Sequence, residues 1–232
     1  MEPAPGLGEQ RHSHRPQGVP VSPADLPPAR RTTVVFDLGG VLVDWDPRYL
    51  YRKLFAGDDA AMERFLGEVC TSEWNLHQDA GRSFADASAV LKQKHPEQAQ
   101  LIDAYHQRWP EMIAGPIDGT LAILRELKAQ ATPLYALTNW SHETFPLALE
   151  MFDFMAWFSG IVVSGQERLI KPDPEIFRLL MRRYGLRAED LVYIDDNARN
   201  AQTARDLGMH GIHFSGPEAL RRELAVLEIL PA

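Results

Sequence analysis

The stretch Val34-Val35-Phe36-Asp37-Leu38-Gly39-Gly40-Val41-Leu42-Val43-Asp44 decides how the rest of the chain is read. Two β-branched residues and Phe36 make an apolar run suited to a buried strand. The run ends in a carboxylate, and Gly39-Gly40 turns the chain directly after it. Asp37 is therefore expected at the carboxyl end of a strand, beside backbone N–H groups left free by the turn. In open α/β sheets that edge is where ligands bind. An aspartate there can be a metal ligand, a nucleophile or both. A glycine after a strand also fits plain turn chemistry, so this stretch alone leaves function open.

Three further polar landmarks follow in order. Pro133-Leu134-Tyr135-Ala136-Leu137 ends in Thr138-Asn139, Lys171 opens Lys171-Pro172-Asp173-Pro174, and Leu191-Val192-Tyr193-Ile194 ends in Asp195-Asp196-Asn197. Each has a folding explanation on its own, as a helix cap or a loop. Together they have a common one. If the strands are parallel, one sheet edge collects Asp37, Thr138, Asn139, Asp195 and Asp196, and Lys171 reaches over from a helix start.

With these residues in view, the chain resembles the haloacid dehalogenase-like hydrolase superfamily. Asp37 in Phe-Asp-Leu-Gly-Gly-Val, Thr138-Asn139, Lys171-Pro-Asp and Ile-Asp195-Asp196-Asn are similar to its motifs I to IV. Within it, the resemblance is nearest to the bacterial α-D-glucose-1-phosphate phosphatase group and the N-terminal phosphatase domain of soluble epoxide hydrolases. It runs over roughly residues 32 to 215. It implies a Rossmann-like, doubly wound parallel sheet with an inserted helical cap, and Mg²⁺-dependent phosphatase activity. It further implies that Asp37, the Gly39 carbonyl and Asp196 hold Mg²⁺, with Asp195 just outside. Oxygen ligands and a phosphate suit that ion. Asp37 would attack phosphorus and form an aspartyl-phosphate, with Lys171 as its catalytic partner. Thr138, Asn139, Lys171 and the N–H groups of Leu38 and Gly39 would hold the phosphate oxygens.

One position departs from the superfamily pattern. Phosphatases of this type usually carry a second aspartate two residues after the nucleophile, as general acid and base, and here that residue is Gly39. Such assistance is typically worth about 10²–10⁴ in rate. The glucose-1-phosphate group shares the glycine, so activity is still expected, on a substrate with an acidic leaving oxygen or its own proton source. Asp44 and Asp46 are candidate substitutes. Asp46 also reads as a helix cap, because Pro47 follows it.

Composition narrows the rest. A net charge of −8 opposes general nucleic-acid binding. Cys70 is alone, which rules out an internal disulfide and a cysteine metal cluster; a packed small hydrophobe is expected. No stretch approaches 18 consecutive apolar residues, so no membrane span and a cytoplasmic location are expected. Monomer and homodimer both stay open. Residues 1–30 hold seven of the 17 prolines and read as a disordered tail.

The spacing gives the architecture. About 100 residues separate Asp37 from Thr138, far more than one crossover needs. Residues 31–45 and 116–232 are read as the α/β core and 46–115 as a helical cap. Asp46-Pro47 and Asp58-Asp59 mark two helix starts, Ser83 or Asp86 a third, and Leu101, Ile102, Tyr105 and Trp109 a helical stripe. Trp45, at the entry to the cap, and Trp140, after Thr138-Asn139, are candidates for shaping a leaving-group pocket, where an indole face could stack on a sugar.

The leading functional expectation is a phosphatase of a small phosphorylated metabolite, with a sugar phosphate first. One alternative is a 2-haloacid dehalogenase with Asp37 attacking carbon. Against it, Asp195-Asp196 would repel a carboxylate substrate. The other is a non-catalytic binding or regulatory protein of the same fold, favoured only by Gly39.

Overall fold

The computed structural model describes residues 33–231, so the expectation for residues 1–30 lies outside the described residues. The chain enters through β1 (Thr33–Phe36), turns at the glycine pair and forms the short β2 (Val43–Trp45). Five helices follow: α1 (Arg48–Leu54), α2 (Asp59–Glu68), α3 (Ser72–Asp79), α4 (Phe84–Lys94) and α5 (Ala99–Gln107). Strand β3 (Ile113–Pro116) then pairs antiparallel with β2, Val43 opposite Pro116. Strands and helices alternate from there: α6 (Asp118–Ala129), β4 (Leu134–Thr138), α7 (Phe145–Met151), β5 (Gly160–Val163), α8 (Ser164–Glu167) and α9 (Pro174–Tyr184). The chain closes with β6 (Leu191–Asp195), α10 (Ala198–Asp206), β7 (His210–His213) and α11 (Pro217–Val226).

Strands β5-β4-β1-β6-β7 form one parallel sheet in that order. The winding runs outward from β1 to one side and then to the other, which is the doubly wound α/β arrangement read from the sequence. Its direction reverses at β1, and at such a switch point the crevice opens beyond the carboxyl ends of the strands. Both sheet faces are covered, as a parallel sheet requires. Alternation along β1 divides its residues between them. Val34 and Phe36 pack with Leu124, Leu127 and Leu220 on one face, and Val35 packs with Ile176, Phe177 and Leu180 on the other.

Four of the five helices between β2 and β3 start where a polar side chain takes an orphan N–H group. Asp46 accepts from the Arg48 amide (2.8 Å), Asp58 from Ala61 (2.9 Å) and Ser83 from Asp86 (3.1 Å). Thr71 does the same for Trp74 (3.0 Å) and so begins α3, a helix the sequence reading passed over. Aromatic side chains hold this layer together. Trp74 meets Tyr105 edge-on at 5.1 Å, and His106 stacks on Phe84 at 4.6 Å. Cys70 is buried there, and burial pushes its thiol up to about 12, the behaviour of a packed hydrophobe. Among the described residues no helix is long and apolar enough to cross a membrane.

Candidate active site

Asp37 leaves β1 with its amide donating to the Ile194 carbonyl on β6 (2.8 Å), so the sheet ladder itself sets its place. Its Oδ1 accepts from the Leu38 amide (2.7 Å) and its Oδ2 lies 2.8 Å from Lys171 Nζ. The Leu38 N–H, expected on a phosphate oxygen, is spent on Asp37 itself. Burial pushes the Asp37 carboxyl up to about 7, with Lys171 pulling the other way and the Asp195 charge adding to the rise.

Lys171 is 2% exposed and its three ammonium protons have three acceptors. These are Asp37 Oδ2 (2.8 Å), Asp195 Oδ2 (2.8 Å) and the Leu137 carbonyl (3.0 Å). Burial opposes its charge, but the two carboxylates outweigh burial and hold the ammonium above its ordinary range. Asn139 fixes the backbone of Lys171. Its side-chain amide donates to the Lys171 carbonyl (3.0 Å) and its Oδ1 accepts from the Lys171 N–H (2.8 Å). The residue expected to bind phosphate thus acts here as a clamp on the lysine loop.

The adjacent aspartates Asp195 and Asp196 differ sharply. Asp195 is fully buried and accepts from Lys171, the Tyr193 hydroxyl, the Asn197 amide (2.8 Å) and the Asn200 side chain (3.0 Å). Burial opposes its charge too, yet Lys171 and these donors hold the carboxyl below the usual range. Asp196 is exposed; desolvation at the mouth of the cluster, then the Asp195 charge, raise its carboxyl. Gly40 makes room for it: its φ is +72°, and a Cβ there would fall 2.3 Å from Asp196 Oδ2.

Oxygens of Asp37, Asp195 and Asp196 lie within 4.8 Å of one another. Three carboxylates against one ammonium leave a surplus of negative charge, and every donor is a hard oxygen. That set fits a magnesium-sized divalent cation. Beside it, Thr138 ends β4 with its Oγ1 buried and, among the described residues, without a hydrogen-bond partner. Leaving a hydroxyl so costs about 1–3 kcal/mol, so the site is short of one polar partner.

Above this cluster lies a cavity lined by Gly39, Trp45, Phe84, Trp109, Asn139 and Trp140 together with Asn75, Asp79, Ser141 and Thr144. Trp45 and Trp140 are thus brought to one space with Gly39. Trp109 and Trp140 lie 5.6 Å apart, and the Trp140 indole N–H has no partner among the described residues. Asp44 and Asp46 are not among the lining residues. Asp44 takes the Tyr49 hydroxyl (3.0 Å) and Asp46 caps α1.

Several of these residues escaped the sequence reading. Tyr193 had a signal, since it shares a face of β6 with Asp195 by alternation. Asn200, Asn75 and Asp79 had none, because each sits on a helix whose polar face reads as solvated.

Comparison with known proteins agrees with this geometry. Residues 32–208 match the model of the haloacid dehalogenase-like hydrolases. The sesquiterpene phosphatase astK of Aspergillus oryzae is 27% identical over 209 residues, which cover 83% of this chain and 94% of that one. The drimenol cyclase drtB of Aspergillus calidoustus is 26% identical over 204 residues, 86% of this chain but only 37% of its own length. An enzyme of the same family from Bacteroides thetaiotaomicron, solved with magnesium and inorganic phosphate, superposes with a TM-score of 0.59 at 23% identity, covering 77% of this chain and 91% of that one. With the family model matching well over half its length, this chain belongs to the haloacid dehalogenase-like hydrolases.

Proposed function

We propose that the protein is a magnesium-dependent phosphatase that hydrolyses a small phosphorylated metabolite through an aspartyl-phosphate on Asp37. The observation that carries this reading is the cluster itself: a buried carboxylate 2.8 Å from a buried ammonium, beside two further carboxylates and a hydroxyl without a partner. Phosphatase relatives such as astK support it.

The charge balance explains the parts. A phosphate dianion approaching Asp37 meets three carboxylates and one ammonium. Asp37, Asp196 and the Gly39 carbonyl would hold Mg²⁺, which when bound would supply the missing positive charge. Lys171 favours the ionised form of Asp37 against burial and aims it, and the Thr138 hydroxyl donates to an equatorial oxygen. Asp37 attacks phosphorus in line, the leaving oxygen departs into the cavity, and water then cleaves the acyl phosphate. Asp195 holds Lys171 rather than the cation, because its oxygens are already saturated by four residues.

The non-phosphate half of the substrate occupies the cavity under residues 46–115, which act as the cap. Trp45, Trp109 and Trp140 beside Asn75 and Ser141 suit a ring with an apolar face and polar edges, and a sugar phosphate is the first candidate. The test is hydrolysis of p-nitrophenyl phosphate with Mg²⁺ and after chelation, alongside Asp37→Asn. Turnover that needs Mg²⁺ and vanishes in the variant supports the reading. A folded protein that binds Mg²⁺ yet releases no phosphate from this ester or from a hexose phosphate panel overturns it.

A further inference from the structure

Gly39 leaves the proposed reaction without a proton donor at the place where this superfamily keeps one, and the structure offers a replacement from the opposite wall. We propose that Asp79, carried by the end of α3 into the cavity above Gly39, protonates the leaving oxygen and afterwards takes a proton from the attacking water. The proposal rests on the phosphatase reading and names the residue that reading lacks.

Three observations converge on Asp79. Among the described residues lining the cavity it is the one carboxylate, and no histidine or lysine lines it. A Cβ built on Gly39 meets nothing within 4 Å, so the space where an acid would otherwise stand is open toward the cavity. Asp44 and Asp46, the nearer candidates along the chain, are engaged elsewhere.

Asp79 is also placed, although it stands on an inserted helix. Its Oδ2 accepts from the Asn75 side chain (3.1 Å), and Ser141 lines the same cavity beside it. Its backbone carbonyl accepts from Ser164 Oγ (2.5 Å), which in turn accepts from the Trp140 amide (2.9 Å). Asn75 on α3 therefore orients the carboxylate, and Ser164 at the end of β5 anchors its backbone at the rim of the site. Such support is what a proton-transfer group needs.

Its protonation suits the role. Half-buried among Trp45, Trp109 and Trp140, Asp79 is pushed up to about 7 by desolvation, against the pull of the Ser141 amide and the Lys171 charge. Tyr105 faces it from α5, and across a second cavity that shares Trp45, Asn75 and Asp79 stand Asp46, Arg48 and Glu63. In the first step the bond from phosphorus to the leaving oxygen breaks as Asp37 bonds to phosphorus, and the Asp79 proton passes to that oxygen. In the second step water attacks phosphorus, its proton passes to Asp79, and the Asp37 carboxylate leaves.

The experiment measures kcat/KM, which reports the first step, for p-nitrophenyl phosphate and for phenyl phosphate, whose leaving group is far more basic. With Mg²⁺ present, Asp79→Asn should lose about 10²-fold or more on phenyl phosphate and little on p-nitrophenyl phosphate. The wild-type rate on phenyl phosphate should fall as pH rises through about 7, and the variant should lose that fall. Gly39→Asp placed in the Asp79→Asn protein should restore phenyl phosphate turnover. Equal losses on both esters, or no loss on either, overturn the role of Asp79 while leaving the phosphatase reading intact. Wild-type protein inactive on both esters overturns the phosphatase reading, and this one with it.

Discussion

The strand-end cluster and the cavity above it are built on opposite terms. In the cluster the buried charges are bonded to one another, with only Thr138 Oγ1 and Asn200 Oδ1 left over among the described residues: Lys171 has three acceptors, and Asp195 collects donors from Lys171, Tyr193, Asn197 and Asn200. In the cavity, indole faces dominate and the Trp140 N–H is unengaged among the described residues. A saturated network fixes atoms in one arrangement, which suits chemistry that repeats identically for any ester. An aromatic space with unengaged groups accepts shape, and suits selection between leaving groups. In the proposed reaction, phosphoryl transfer and leaving-group selection thereby fall on the two sides of Gly39, with Asp79 the one reacting group on the cavity side.

The sharpest way to break this division is Asp37→Asn. It should abolish turnover, by at least about 10⁴-fold, while substrate or phosphate binding measured by calorimetry persists. Next comes Lys171→Met, which leaves Asp37 and Asp195 buried without their cation. Breaking a buried pair in this way costs about 3–5 kcal/mol, read as a lower denaturation midpoint in urea. On the other side of the division, Trp45→Phe should raise KM by about 3–10-fold, change kcat little, and do so unequally for different leaving groups.

A smaller effect tests the boundary itself. The carboxyl of Asp79 is raised from 3.8 to about 7 in the folded protein, so its ionisation opposes folding as pH rises across that window. Asp79→Asn should therefore melt higher than wild type above pH 7, by about 2–4 °C, with the gap closing by pH 4. Smallest of all, Arg48→Ala should shift stability by no more than about 1 kcal/mol, since the pair with Glu63 is exposed on both sides and screened.

The same division explains what could be read from the chain before its fold. Asp37, Thr138, Lys171 and Asp195 were legible as an ordered set, three ending apolar runs and Lys171 opening a loop between them, although each alone has a folding explanation. Their partners were less so. The Asn139 amide and the Leu38 N–H have the right chemistry for phosphate, but the structure shows them bonded to Lys171 and Asp37, a competition invisible in one dimension. The helix α3 was missed because Ser72–Asp79 buries only Trp74 and Gln78 and shows no apolar stripe. Asp79 was hidden with it, since Gln78-Asp79-Ala80-Gly81 reads as an ordinary helix end, and only the tie to Ser164 and the shared cavity reveal its direction.

The β2–β3 ribbon carries a consequence of another kind. Because Val43 stands opposite Pro116 in a two-stranded ribbon of its own, the chain enters and leaves the helices beyond it at almost the same point. To the parallel sheet, everything from Asp46 to Met112 is one long hairpin loop, and the entropy of closing a loop grows only slowly with its length. Helices can then be gained, lost or exchanged beyond that ribbon with little strain on Asp37 or Lys171. A fold so divided can change what lines the cavity, Asp79 included, while the sheet keeps Asp37 in place.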